Sequence, residues 1–136
     1  GVIIDFKLEE QLTEYWWAIS FYSGEFENDS FRSFGIASAS DGWQSALFSK
    51  GDEMEGVDLS WIKPNTWHRL VLAIGEDGQI LMLAWERDNP DTDPWSFTNQ
   101  FGSKWSGLEW QFWVNNTQDV TLYFDNFYEF EFENIQ

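Results

Sequence analysis

The sequence contains no cysteine, so it can form neither a disulfide framework nor a thiolate metal site. Its single histidine, His68, excludes a metal site built from several histidines. No apolar run approaches the length of a membrane span, and we expect no membrane segment. Gly1 is not a natural start, and the strand pattern opens directly at Val2. We therefore expect one domain, residues 1–136, excised from a larger protein.

Basic residues are scarce. Seven Lys and Arg stand against 24 Asp and Glu, which gives a formal net charge of −17. A surface this acidic repels nucleic acid and anionic membranes, so we expect neither as a partner. It is compatible with neutral polysaccharides, with metal cations, or simply with solubility. The net charge therefore argues against nucleic acid and anionic membranes but does not indicate which ligand, if any, the protein binds.

Aromatic residues, by contrast, are abundant, with 10 Trp and 13 Phe in the chain. This exceeds what a core of the size needs, so we expect some rings to face solvent or a ligand. Apolar and polar residues alternate with a period of two in nearly every segment, and no segment keeps a helical stripe. The pattern predicts roughly nine to ten antiparallel strands, which is typical of a β-sandwich or barrel.

The clearest predicted hairpin spans Trp67–Arg87. With a two-residue turn, Leu72 lies opposite Leu83. The same register places Arg69 opposite Glu86 as a cross-strand ion pair. A four-residue loop would shift the pairing by two. In either register the apolar middle of the hairpin predicts a central position in a sheet.

The last two strands are predicted at Leu108–Val114 and Val120–Phe132, and we expect them to pair around residues 115–119. Alternation then gives each strand a buried side and an outward side. The predicted core residues are Leu70, Leu72, Leu83, Trp110, Phe112, Leu122 and Phe124.

The outward side of these two strands is the predicted ligand site. An exposed ring beside amide and carboxylate groups suits a sugar, whose CH face stacks on the ring while its hydroxyls form hydrogen bonds. The alternative is a second core layer under a crossing loop. The candidate ligand-binding residues are Gln111, Trp113, Tyr123 and Asp125, with Trp43 and Trp61 as secondary candidates.

Candidates for catalysis are few. Glu129, Glu131 and Glu133 share one face of a strand, but a solvated edge near the chain end is the ordinary explanation. We therefore expect no enzymatic activity. Clustered oxygens would suit a structural calcium ion, although such acidic turns are commonly just solvated. The candidate calcium ligands are Asp88, Asp91 and Asp93.

Several motifs in residues 67–132 resemble a known family. The run Trp67-His68-Arg69-Leu70-Val71-Leu72 is followed by Asp77-Gly78-Gln79-Ile80, Trp85, Asn89-Pro90, Pro94-Trp95 and Leu122-Tyr123-Phe124-Asp125-Asn126-Phe127. In these motifs the chain is similar to concanavalin A-like and laminin-G-like jelly-roll domains, including carbohydrate-binding modules. The resemblance implies a two-sheet antiparallel jelly-roll sandwich, binding of carbohydrate or protein, and often a structural calcium ion.

The leading hypothesis is a non-catalytic carbohydrate-binding module that recognises a polysaccharide through exposed aromatics. We expect it in a secreted or cell-surface bacterial protein with other domains. A laminin-G-like structural or protein-interaction module for adhesion is the alternative, and it would present a flat patch instead of a groove. A divergent glucanase-like enzyme is the third possibility, and it needs two carboxylates about 5–10 Å apart across a cleft.

Overall fold

The computed structural model describes residues 1–9, 16–23, 32–38, 44–49, 60–75, 79–89, 91, 93–100, 109–115 and 122–131. These residues form strands, turns and connecting segments and no helix, so the predicted all-β character is confirmed for this part of the chain. The strands are β1 (Val2–Leu8), β2 (Trp16–Ser23), β3 (Arg32–Ser38), β4 (Gln44–Ser49), β5 (His68–Ile74), β6 (Gln79–Glu86), β7 (Trp95–Gln100), β8 (Glu109–Asn115) and β9 (Leu122–Glu129).

The chain divides into two compact units, each containing one antiparallel sheet. The first unit comprises Gly1–Gln11, Trp61–Lys104 and Val120–Gln136. Its sheet has five strands in the order β7-β6-β5-β1-β9. The second unit comprises Leu12–Ser60 and Trp105–Asp119, and its sheet has four strands in the order β4-β3-β2-β8. The prediction of one domain over residues 1–136 stays a prediction.

One face of the five-stranded sheet is apolar. The even-numbered residues of β1 are at most 3% exposed, and those of β5 lie opposite them, with Leu70 facing Ile4 and Leu72 facing Val2. Burial of Leu70 and Leu72 was predicted and is confirmed. The buried apolar residues of this apolar face are Val2, Ile4, Phe6, Leu8, Leu70, Leu72, Ile80, Met82 and Ala84.

The opposite face, here called the polar face, carries the odd-numbered residues of β1 and their neighbours in the register. One end of it is apolar, with Ile3 opposite Val71 and Val71 opposite Leu83. The other end is charged and aromatic, beginning with Asp5 opposite Arg69. This charged end contains the candidate site.

The predicted hairpin exists as β5 and β6, but its predicted register is wrong by one residue. Leu72 lies opposite Met82, and Arg69 lies opposite Trp85. The reason is the loop, which the Gly75 N–H closes by donating to the Gln79 carbonyl at 2.8 Å. Gly75 and Gln79 enclose a loop with an odd number of residues, whereas the two loops considered from the sequence had two and four residues. A one-residue shift moves side chains to the other face, so Leu83 lies on the polar face and is only half-buried.

The predicted pairing of the last two strands is also wrong. β8 pairs with β2, and β9 pairs with β1, so the two strands belong to different sheets. Of the core residues predicted there, Leu122 is half-buried and Phe124 is 37% exposed, because β9 is an edge strand. The side chains of Trp110 and Phe112 lie outside the described residues.

Candidate functional site

The predicted ligand-binding residues are divided between the two sheets. Tyr123 and Asp125 lie on β9 of the five-stranded sheet, whereas Gln111 and Trp113 lie on β8 of the four-stranded sheet. The expected cross-strand pairs between them do not form, because each strand pairs with a strand distant in sequence. The side chains of Gln111 and Trp113, and residue Trp43 as a whole, lie outside the described residues, so their role stays a prediction.

Tyr123 belongs instead to a row of alternating rings and cations across the polar face. Lys7 lies opposite Tyr123, and the ladder of β1 and β5 continues past Phe6 and His68 to bring Lys7 beside Trp67. On the far side of Trp67, the Arg87 N–H donates to the Trp67 carbonyl at 3.0 Å. The resulting row, here called the aromatic–cation row, consists of Tyr123, Lys7, Trp67 and Arg87.

Cation–π contacts hold the members of this row together. The Lys7 Nζ lies 4.7 Å from the ring centroid of Tyr123 and 5.1 Å from that of Trp67. The Arg87 Cζ lies 4.7 Å from the Trp67 centroid, so the indole is flanked by two cations from neighbouring strands. With strands about 4.8 Å apart, the row is about 14 Å long.

Exposure along the row is uneven. Tyr123, on the edge strand, is 40% exposed, whereas Lys7 and Trp67 are half-buried. The Tyr123 ring is therefore the more exposed of the two rings in the row, and the Trp67 indole lies between the Lys7 and Arg87 cations. Asp125, two residues after Tyr123 and on the same face, is exposed beside it.

A buried carboxylate supports the row from below. Asp5 is fully buried and accepts hydrogen bonds from Arg69 Nε at 2.7 Å and Arg69 Nη2 at 3.0 Å. Its Oδ2 also accepts from Asn126 Nδ2 at 2.8 Å and from Arg87 Nη1 at 3.4 Å. Burial raises the pKa of the Asp5 carboxyl, but the hydrogen bonds from Arg69, Asn126 and Arg87 outweigh it, so the pKa lies below its usual value. Asp5 is therefore a permanently charged anchor at neutral pH.

Arg87 connects this network to the surface. Its Nε and Nη2 donate to the two carboxylate oxygens of Asp88, both at 3.0 Å, and its Nη1 lies 3.9 Å from Asp125 Oδ2. Hydrogen bonding to Asp88 raises the pKa of Arg87 above its ordinary value. The guanidinium thus keeps a fixed position over Trp67, because its bidentate geometry leaves little rotational freedom.

Asn126 occupies an irregular position in β9. The pairing of β1 with β9 shifts between Ile3 and Asp5, and Asn126 has a φ of 51°. Asparagine tolerates this left-handed conformation better than most residues, and the bulge directs its amide to Asp5. The sequence signal for this feature was the single polar interruption that Asn126 makes in an otherwise alternating strand.

The candidate calcium ligands have separate surroundings. Asp88 is held by Arg87, a cation that a metal ion would have to displace, while Asp91 and Asp93 are exposed. Among the residues described, no group of three or more His, Asp or Glu side chains is placed to hold a metal ion. Calcium binding stays a prediction.

Trp61, the remaining sequence candidate, packs among apolar-face residues. Its ring stacks on Trp95 at 5.2 Å and 29°, and meets His68 edge-on at 5.4 Å. His68 is fully buried, stacks on Phe6 at 5.3 Å, and accepts a hydrogen bond from the Lys63 N–H at 3.4 Å. Burial lowers the pKa of His68, although the nearby Glu86 carboxylate opposes this shift. These contacts give Trp61 and His68 a packing role.

No protein-family model, curated protein or solved structure matches the chain. Within the described part of the chain, no helix has the length and apolarity needed to cross a membrane. Sequence reasoning did not assign Lys7, Arg69 or Arg87 to the polar face, because the contacts that place them there, with Tyr123, Trp67 and Asp5, join segments distant in sequence.

Proposed function

We propose that the chain is a non-catalytic carbohydrate-binding module whose ligand lies on the aromatic–cation row of the polar face. The observation that carries this proposal is the exposed Tyr123 ring, fixed beside the Lys7 ammonium and the Asp125 carboxylate. A sugar has the matching chemistry, because its CH face stacks on an aromatic ring while its hydroxyls accept from a cation and donate to a carboxylate.

Hydrogen bonds to Asp5 hold the cations of the polar face in position before a ligand binds. Asp5 fixes Arg69 and Arg87 through charge-assisted hydrogen bonds, and Arg87 in turn lies against Trp67. Because these groups are already ordered, a ligand loses less free energy in ordering them on binding. We propose a polysaccharide as the partner and a secreted or cell-surface bacterial protein, with further domains, as the context.

The proposed architecture is a jelly-roll sandwich of the concanavalin A-like kind. Both observed sheets are antiparallel, as such a fold requires, and the five-stranded sheet has one face of almost completely buried apolar residues. A sandwich core is built from such faces.

A glucanase-like mechanism has less support. Asp5 and Asp125 lie opposite each other on β1 and β9 and give the polar face a pair of neighbouring carboxyl groups. Asp5, however, is fully buried and already accepts hydrogen bonds from Arg69, Arg87 and Asn126. It is therefore poorly placed to act on a glycosidic bond, which requires two accessible carboxyl groups.

A protein-binding role of the laminin-G-like kind is the second candidate, and one observation favours it. The large hydrophobic residues that are exposed in the described part of the chain are Tyr123, Phe124, Phe127 and Tyr128. All four lie on the edge strand β9, where an extended segment of a partner could pair with the strand. This surface uses both faces of β9, whereas a glycan on the row uses only the face of Tyr123.

Affinity electrophoresis against a panel of soluble neutral and acidic polysaccharides tests the proposal. The informative variant is Tyr123→Ala, and Phe127→Ala is its matched control, since Phe127 is 42% exposed and adjoins Tyr128 on the same strand but alternates to the other face. We expect Tyr123→Ala to weaken binding by one to two orders of magnitude, about 1–3 kcal/mol by analogy with other stacking sites. Phe127→Ala should bind like the wild type. Equal losses for both variants would contradict the placement of the glycan on the face of Tyr123, and no retardation of the wild type on any polymer would refute carbohydrate binding.

A further inference from the structure

Lys7 differs from the other cations of the polar face in having no carboxylate partner. Of the Lys and Arg side chains that the structure describes, Lys63, Arg69 and Arg87 each form an ion pair, and Lys7 does not. Its described partners are the rings of Tyr123 and Trp67. In a chain with 24 acidic residues against seven basic ones, a cation without a carboxylate is uncommon.

The two rings fix the ammonium without using its hydrogen-bonding capacity. A cation–π contact is an attraction to the ring quadrupole, and the ring accepts no conventional hydrogen bond. The three N–H donors of Lys7 are therefore free to meet an acceptor on a ligand. An anionic acceptor adds a charge–charge attraction to the hydrogen bond with the ammonium, so this position favours an anionic group over a neutral one.

The surroundings of Lys7 permit an anion despite the acidity of the whole chain. The carboxylates of Asp5, Asp88 and Asp125 are in ionic contact with Arg69 and Arg87, so they are partly neutralised and not in contact with Lys7. At physiological ionic strength, charges more than about 8 Å away are largely screened. The net charge of −17 therefore does not decide the binding preference at this position.

We propose that Lys7 selects sugars that bear a carboxylate, and that the ligand class of the polar face is an acidic, uronate-containing polysaccharide. This inference rests on the proposed carbohydrate-binding function. A uronate carboxylate projects from the edge of the sugar ring. A sugar that contacts Tyr123 therefore brings its carboxylate towards the neighbouring Lys7 ammonium, 4.7 Å from the Tyr123 centroid.

The test compares acidic polysaccharides with their own neutral forms. Polygalacturonate, alginate and hyaluronate are each assayed beside the carboxyl-reduced polymer, which keeps the backbone and loses the charge. The panel of neutral polysaccharides used above is run in parallel. Wild-type protein should bind at least one acidic polymer about tenfold more tightly than its reduced form. Lys7→Met should weaken binding of the acidic polymer much more than binding of the reduced polymer, so that the difference between them disappears, whereas Lys7→Arg should preserve it.

The outcomes separate the two proposals. Equal binding of acidic and reduced polymers, or binding of neutral polysaccharides alone, would overturn the uronate assignment and leave the carbohydrate-binding function in place. A preference that survives in Lys7→Met would overturn the role of Lys7. No binding to any acidic, reduced or neutral polymer would overturn both proposals. Thermal melting of Lys7→Met separates a binding defect from a folding defect. A small decrease in melting temperature is expected, because the methionine keeps the half-buried stem and only the two cation–π contacts are lost.

Discussion

Asp5 and Arg69 lie opposite each other on β1 and β5 and are joined by two hydrogen bonds, of 2.7 Å from Nε to Oδ1 and 3.0 Å from Nη2 to Oδ2. The carboxylate is fully buried, while the guanidinium is partly exposed. This pair is connected to the aromatic–cation row, because the same carboxylate also accepts a hydrogen bond from Arg87, a member of that row.

Replacing Arg69 with Met should lower the free energy of unfolding by about 3 kcal/mol, because it leaves a buried carboxylate without its main partner. Because Arg69 is partly exposed, this expected loss is at the low end of the range for buried ion pairs that lose one partner. The double variant Asp5→Leu/Arg69→Met removes both charges and should recover most of the loss. Urea denaturation measures both effects. A loss below about 1 kcal/mol for Arg69→Met would show that the pair behaves like a surface salt bridge.

Acidification should destabilise the protein through His68. Burial lowers its pKa in the folded state, whereas the unfolded side chain titrates near 6.5. Between these two values the unfolded state binds the proton preferentially, so stability is complete above about pH 6.5 and falls as the pH falls, by up to about 1.4 kcal/mol per pH unit. Asp5 affects stability at a lower pH than His68. Because its carboxyl pKa is lowered in the folded state, its stabilising contribution is lost only as the pH falls below about 3.9.

The measurement is urea denaturation at pH 5, 6 and 7 for the wild type and His68→Gln. The glutamine keeps an acceptor for the Lys63 N–H but does not titrate. We expect the wild type to lose more stability than the variant between pH 7 and pH 5. Identical pH dependence of the two proteins would assign the effect to other groups.

The strand pattern could be predicted from the sequence, but the register could not. Alternation in residues 67–87 identified β5 and β6 correctly, since period-two patterning is local information. The register depends on the parity of the loop, which Gly75 and Gln79 close around an odd number of residues. That single residue places Arg69 opposite Trp85 instead of Glu86. The ion-pair partner of Arg69 comes from the pairing of β5 with β1 and is Asp5, 64 positions away in sequence.

The candidate site was predictable only within one strand. Alternation placed Tyr123 and Asp125 on a common face of β9, but it could not show which strand lies beside them. The expectation that β8 and β9 pair followed from their adjacency in sequence, whereas β9 pairs with β1 at the other end of the chain. Lys7 and Trp67 enter the site through that non-local pairing, which no short-range pattern reports.

The observed pairing of β1 and β9 also changes which aromatic residues belong to the core. Phe6 is fully buried against Trp61 and His68, whereas Phe124 on the edge strand is 37% exposed. Phe6→Ala should therefore cost about 3–5 kcal/mol, while Phe124→Ala should cost substantially less. Denaturation midpoints of the two variants check this order. Equal losses would mean that Phe124 is as deeply packed as Phe6.

Calcium remains open to a direct test. If calcium binds at Asp88, Asp91 and Asp93, the melting temperature should be higher with calcium than with a chelator, because a ligand of the folded state stabilises it by mass action. Arg87→Gln should increase the shift, since Arg87 now occupies both oxygens of Asp88. Melting curves of wild type and variant that do not respond to calcium would contradict the prediction.

The most direct test of the account is to locate the ligand on the protein by NMR. The ¹⁵N-labelled protein is titrated with oligosaccharides of the polymer that binds best, and amide and indole shifts are followed. We predict that the largest changes occur at Lys7, Tyr123 and Asp125 and at the indole N–H of Trp67. Changes centred instead on Gln111 and Trp113 of β8 would contradict the assignment of the site to the polar face.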